Sequence, residues 1–277
     1  MATGPITAAL ILAGLFYARG WVHLRRISPQ AVPLWRAAGF LGGLFIVWLA
    51  AASPLAMLDE ELLTAHMVQH LLLLTIGPAF FLLGFPALVF GIPERFHLMK
   101  LDSLFCWCAG AGVLIAWHIP AVFALGRGSM MWHNAEHASF FIAGLLFWQP
   151  VIPSRPGVHH ANWLVVIYLF TATLPCDALS AFLAFCGRVV YPVYLNVPRR
   201  FGLSPLQDQE CAGALMWTVV TLAYLIPAVL VTLRLLAAEG ERPHTGTFDF
   251  VLTHDQSPER LPNSGVDEIG AVPRNEG

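Results

Sequence analysis

The sequence predicts an all-α fold, a polytopic transmembrane bundle of about seven spans, and three observations carry that expectation. Only 12% of its residues are charged and 57% are hydrophobic, where a soluble domain carries about 25% charged residues. Apolar runs of roughly 20 residues, the helical length that crosses about 30 Å of hydrocarbon, follow one another with short polar breaks. Lipid offers no partner to free backbone groups, so each such run is a helix.

In chain order the spans fall at approximately 4–22, 35–53, 62–84, 101–123, 132–151, 161–186 and 209–237. The first has no basic residue before it, while Arg19, Arg25 and Arg26 follow it. A secretory signal has the opposite order, so this run reads as a retained span with its N-terminus outside. The second leads into an acidic loop, Asp59-Glu60-Glu61. The third carries Pro78 and should kink, then pass through Gly84-Phe85-Pro86 into a short segment along the membrane surface. The fourth ends near Trp117, His118 and Pro120, and the fifth begins with His133, Glu136 and His137. The sixth holds Pro175 beside Asp177, a local break, and the seventh begins at Asp208-Gln209-Glu210. The membrane domain is therefore 1–238. Residues 239–277, polar and interrupted by Pro243, Pro258, Pro262 and Pro273, read as a disordered tail.

Basic residues set the orientation. With the N-terminus outside, Arg19, Arg25, Arg26, Arg36, Arg95, Lys100, Arg155, Arg234 and Arg242 are cytoplasmic, and the outside loops hold Arg127, Arg188, Arg199 and Arg200. The C-terminus is then cytoplasmic and the setting is a bacterial plasma membrane. A net charge of -2 points away from a nucleic-acid partner.

This topology gathers the histidines at the outer end. His66/His70 and His133/His137 are each four apart, so each pair can aim two imidazoles at one point. Intramembrane ionisable groups are costly and face the bundle interior, which favours one shared site. His118 joins them from the end of the fourth span. Asp208 reads either as a ligand or a group orienting a ligand histidine or, about as readily, as the cap of the seventh helix. Imidazole alone does not choose among zinc, copper, iron and nickel, but thioethers select Cu(I). Met57, Met67, Met130, Met131 and Met216 map to the outer half, with Met67 between the first two histidines. The bland reading of these methionines is packing. His23, His97, His159, His160, His244 and His254 read as solvated loop residues, and Cys106-Trp107-Cys108 as neighbours facing different ways. Cys186 and Cys211 bracket the sixth loop, where an oxidising exterior would permit a disulfide.

The segments His66-Met67-Val68-Gln69-His70-Leu71-Leu72 leading to Gly84-Phe85-Pro86, His133 to His137 leading to Gly144-Leu145-Leu146-Phe147-Trp148-Gln149-Pro150, and Asp208-Gln209 with Ala212-Gly213 and Met216-Trp217 form an ordered set. Together they resemble the multi-span CtaG family of cytochrome c oxidase assembly proteins, which is distinct from the single-span copper chaperone sharing that name. The resemblance implies a role in building haem-copper oxidase through copper supply, with cytochrome c oxidase subunits and the lipid bilayer as partners and no catalysis of its own. By position it marks His66, His70, His133, His137 and Asp208; Glu210 and Cys211 depart from the less polar residues expected there. The expected metal site is thus His66, His70, His133, His137, His118, Asp208 and Met67, holding Cu(I), with zinc the alternative. Two rival readings are a zinc-dependent membrane hydrolase with Glu136 as base and a b-type haem protein.

Overall fold

A computed structural model describes residues 3–30, 32–84, 86–91, 102–152, 162–198 and 201–240. The expected tail, and His97, His159, His160, His244 and His254, lie outside the described residues, apart from the first two residues of the tail. The described chain is helical without strands: α1 (Thr3–Ile27), α2 (Leu34–Ala52), α3 (Leu55–Leu58), α4 (Leu63–Leu71), a π-helical turn (Leu72–Ile76), α5 (Gly77–Leu83), α6 (Pro86–Val89), α7 (Ser103–His118), α8 (Pro120–Gly128), α9 (Met130–Trp148), α10 (Trp163–Phe185), a 3-10 turn (Pro192–Tyr194) and α11 (Pro205–Gly240). Five helical stretches, Thr3–Ile27, Leu34–Leu58, Leu63–Leu83, Trp163–Phe185 and Pro205–Ala238, are long and apolar enough to cross a membrane, and α7 with α8 makes a sixth if the bent pair is one span. The sequence expectation of about seven also counts α9. Its 19 residues have the length, but His133, Asn134, Glu136 and His137 crowd its first two turns and lower its apolarity.

Large apolar side chains point outward along these helices, among them Leu15, Phe45, Leu104, Ile142, Phe170 and Leu230. A water-facing surface would not carry so many, whereas lipid accepts them. Association in lipid rests on close packing and polar ties rather than on hydrophobic burial. Helix α1 is held through Tyr17, whose ring stacks on Phe40 at 3.8 Å and whose hydroxyl donates to the Gly84 carbonyl at 2.8 Å. Helices α10 and α11 approach through Gly213, where a Cβ would lie 2.8 Å from the Ser180 carbonyl oxygen and the Ala184 nitrogen.

Pro175 lies inside α10, which runs from Trp163 to Phe185 without the expected local break, whereas Pro78 and Pro120 interrupt their helices in different ways. Pro78 has no N–H and its ring would collide with the carbonyl four residues back, so the preceding residues widen into the π-helical turn and the span continues. The Leu74 carbonyl is turned toward Gly144 of α9, where a Cβ would overlap both Leu74 O and Pro78 Cγ. Pro120 instead forces Ile119 into extended backbone, φ -65° and ψ 124°, ending α7 and starting α8 at 78° to it. The expected fourth span of 101–123 therefore stops at His118 in the helical sense, and α8 folds across the end of the bundle.

Gly144→Ala should cost about 1–3 kcal/mol or more, since backbone on both helices must shift. Gly112→Ala, with nothing within 4 Å of its Cβ, should be neutral or gain up to about 1 kcal/mol from helix propensity. Thermal unfolding of the two variants in detergent checks this; equal midpoints would contradict it.

Candidate metal centre

Three helix ends and one loop converge at a single end of the bundle. Helix α4 presents His66 and His70 one turn apart, with ring centroids separated by 4.2 Å. Helix α9 presents His133, Glu136 and His137, and α7 ends in His118. All six side chains are buried, His66 completely and Glu136 to within 1%. Helix spacing explains the pairs, because residues three and four apart share a face.

Glu136 is the hub. His70 Nε2 lies 3.1 Å and His66 Nε2 3.4 Å from its Oε1, and His133 Nδ1 lies 3.6 Å from its Oε2. None of these approaches is aligned as a hydrogen bond: both carboxylate oxygens and both ring nitrogens of His66, His70 and His133 lack a hydrogen-bond partner. Orphaned buried polar atoms cost about 1–3 kcal/mol each, so a cluster of them demands an explanation. One atom from each of His66, His70 and Glu136 lies within 4.8 Å of the others, a spread that suits three ligands of one cation. Two imidazole nitrogens and a carboxylate oxygen match the donors that zinc and copper sites use.

Asp59 closes the far side. Its Oδ2 accepts from Arg127 at 2.9 Å and lies 3.5 Å from His133 Nε2 and 3.7 Å from His66 Nδ1. Burial acts to raise its carboxyl, but His66, Arg127 and His133 beside it hold it below the usual 3.8. Arg127 comes from the last turn of α8, so the bend at Pro120 is what brings this cation over the site. Above it, Tyr194 donates to the Asp59 carbonyl at 2.9 Å and Tyr191 to the His118 carbonyl at 3.0 Å. The Tyr191 ring stacks on Phe123 at 4.1 Å, and Phe123 lies edge-on to His66 at 5.0 Å. Gln209 fixes this covering loop by accepting from Val190 N at 2.7 Å and donating to the Arg188 and Leu183 carbonyls.

The remaining expected residues divide. His118 and Met67 meet each other, Nε2 to Sδ 3.2 Å, beside His70. His137 stands 4.2 Å from His133 by ring centroid, with its Nε2 unmatched, and outside the three-residue group. Asp208 is engaged elsewhere: its oxygens accept from Leu63 N at 2.7 Å, Thr64 N at 3.0 Å and Thr64 Oγ1 at 2.7 Å. Of its three sequence readings it performs the cap, but on α4 rather than on its own helix. Met67 and Met216 are buried, whereas Met57, Met130 and Met131 are exposed. Asp177 meets Thr221 across α10 and α11 at 3.5 Å. All five cysteines are free, so the Cys186–Cys211 bridge that the sequence left open is not formed; Cys186 Sγ instead faces the Arg188 carbonyl at 3.1 Å. Cys106 is buried and Cys108 exposed, as expected for helical positions two apart, which lie on nearly opposite faces.

Sequence reasoning undervalued Glu136 and missed Asp59. The signal for Glu136 was its spacing, three residues after His133 on the face that carries both α9 histidines. Asp59 sits in a run of three acids with nothing local to single it out, and only the tertiary fold gives it Arg127 and two imidazoles.

The sequence profile of a family described as cytochrome c oxidase caa3 assembly factor matches residues 15–238. A curated relative, an uncharacterized protein of Mycobacterium leprae (strain TN), is 23% identical over 269 residues. That alignment covers 86% of this chain but 39% of the relative, so the chain spans about two fifths of the length of the protein it matches. No solved structure matches. With most of its helical unit inside the matched range, the chain belongs to the cytochrome c oxidase caa3 assembly factor family.

Proposed function

We propose that this protein binds copper as Cu(I) at the extracytoplasmic end of a bundle of about seven crossings in a bacterial plasma membrane and delivers it to a nascent caa3 oxidase. The observation that carries the reading is the convergence of His66, His70 and Glu136 with their buried donor atoms unmatched. His133 and His137 flank this set as exchange partners, and the His118–Met67 pair places a soft donor beside His70, next to the set. Two buried carboxylates, Asp59 and Glu136, stand against the single guanidinium of Arg127, an excess of acid that a bound cation balances. The copper is cargo: the residues hold it, keep water from it beneath the Tyr191–Tyr194 loop, and release it when α8 and that loop move. The surroundings of Glu136 favour holding over hydrolysis. A general base must reach a substrate or water proton, whereas this carboxylate faces three imidazoles.

Replacing His66 and His70 with alanine should lower copper affinity at least about 10- to 100-fold and leave membranes poor in copper-loaded oxidase, while the protein still accumulates. Metal analysis of purified protein, with an absorption spectrum, checks this. Zinc with no copper would favour the hydrolase, a Soret band would favour the haem protein, and undiminished copper in the variant would remove these histidines from the site.

Gly126 of α8 offers a subtler change. A Cβ there would lie 2.9 Å from Glu136 Oε2, so Gly126→Ala should displace the hub carboxylate and weaken copper binding about 10-fold or more. Gly128→Ala, on the same helix with no neighbour within 4 Å, should not. Competition titration with a Cu(I) chelator checks the pair, and equal affinities would contradict the role given to Glu136.

A further inference from the structure

His118 is held in one tautomer. Its Nδ1 lies 2.7 Å from the Leu114 carbonyl oxygen, which can only accept, so the ring proton is assigned to Nδ1. Nε2 is then a bare lone pair, and it faces the Met67 thioether sulfur at 3.2 Å. A thioether is an acceptor too, so two buried donors of electron pairs point at each other with no proton between them. Charging the ring would supply that proton, but among the described residues no carboxylate lies in ion-pair reach of His118, and an unpaired cation buried there is costly. The sequence offers a bland account of Met67 as packing. Packing alone, however, would not aim the sulfur at a ring nitrogen.

A cavity opens from Met67, on the side away from the Glu136 cluster. Met67 and His70 line its head, and Cys176 and Met216, both buried, line its wall among apolar side chains. Its donors differ in kind from those of the centre above it. The centre offers imidazole nitrogen and carboxylate oxygen, while this chamber has no carboxylate and carries, besides the His70 ring and the hydroxyls of Thr75 and Tyr224, the sulfurs of Met67, Cys176 and Met216. His70 belongs to both, since its ring stands 5.7 Å from that of His118 and its Nε2 meets Glu136.

We infer that His118 and Met67 form a second metal station, separate from the His66–His70–Glu136 centre and selective for a soft monovalent cation. Cu(I) fits it, because thioether and imidazole together hold that ion at low coordination number, while no carboxylate, the hard donor that zinc also accepts, lines the cavity. Met216 and Cys176 are the other sulfurs that line the chamber. His70, reaching both sets, is the residue through which an ion exchanges between them, without change of oxidation state. The inference rests on the metal-binding reading of the upper centre, but it makes its own demand: sulfur in the coordination sphere.

Copper K-edge absorption on the full-length protein in detergent, loaded anaerobically with Cu(I), tests it beside Zn(II) loading of the same variants. Wild type should show sulfur scattering and take up more Cu(I) than Zn(II). Met67→Leu, a swap that conserves volume, should lose the sulfur signal and fall to the zinc loading, with Zn(II) uptake unchanged; the exposed Met131→Leu should match wild type. Glu136→Gln with His66→Ala should lose Zn(II) and keep the copper–sulfur signal. Nitrogen and oxygen scattering alone in wild type, or sulfur scattering that survives Met67→Leu, would overturn the second station and leave the upper centre standing. Failure to bind either metal would overturn both.

Discussion

The structure depends on one constraint: a carboxylate buried among imidazoles inside an apolar bundle must be matched in charge and in hydrogen bonds. Glu136 cannot retreat to solvent, because α8 and the Tyr191–Tyr194 loop lie over it, and it cannot be satisfied by His66, His70 and His133, whose approaches are not aligned to donate. A cation between these groups resolves the mismatch at once. The same requirement explains why Arg127 is turned back onto Asp59, and why the loop tyrosines spend their hydroxyls on carbonyls and leave the carboxylates to the histidines.

Both proline breaks serve that arrangement. At Pro120 the extended Ile119 stops α7 with His118 at its last position, and swings α8 across the bundle end so that Phe123, Gly126 and Arg127 cover the histidines. At Pro78 the π-helical turn keeps the third span continuous and turns the Leu74 carbonyl toward Gly144, which seats α9 closely enough for its Glu136 to meet His66 and His70 of α4.

Much of this was legible in residue order. Composition and run length gave an all-helical membrane chain, and the i, i+4 histidine pairs marked the end where donors gather, because helical geometry alone puts them on one face. What was not legible depended on distance in sequence. Asp208 lay near the histidines by topology, yet its carboxylate is taken by the backbone of Leu63 and Thr64, a cap on another helix that no local pattern announces. Of five methionines placed in the outer half of the bundle only Met67 and Met216 are buried, since placement along a span says nothing of which way a side chain turns. Cys186 and Cys211 were close enough in outline to pair, but Gln209 holds the Cys186 segment and Cys211 is exposed.

The most direct test is an anomalous-scattering map, at the copper and zinc edges, of crystals grown from the copper-loaded protein. The account predicts a copper peak bounded by His66, His70 and Glu136. An ordered His66–Glu136 cluster with no peak, or with Arg127 moved in to neutralise Glu136, would contradict it.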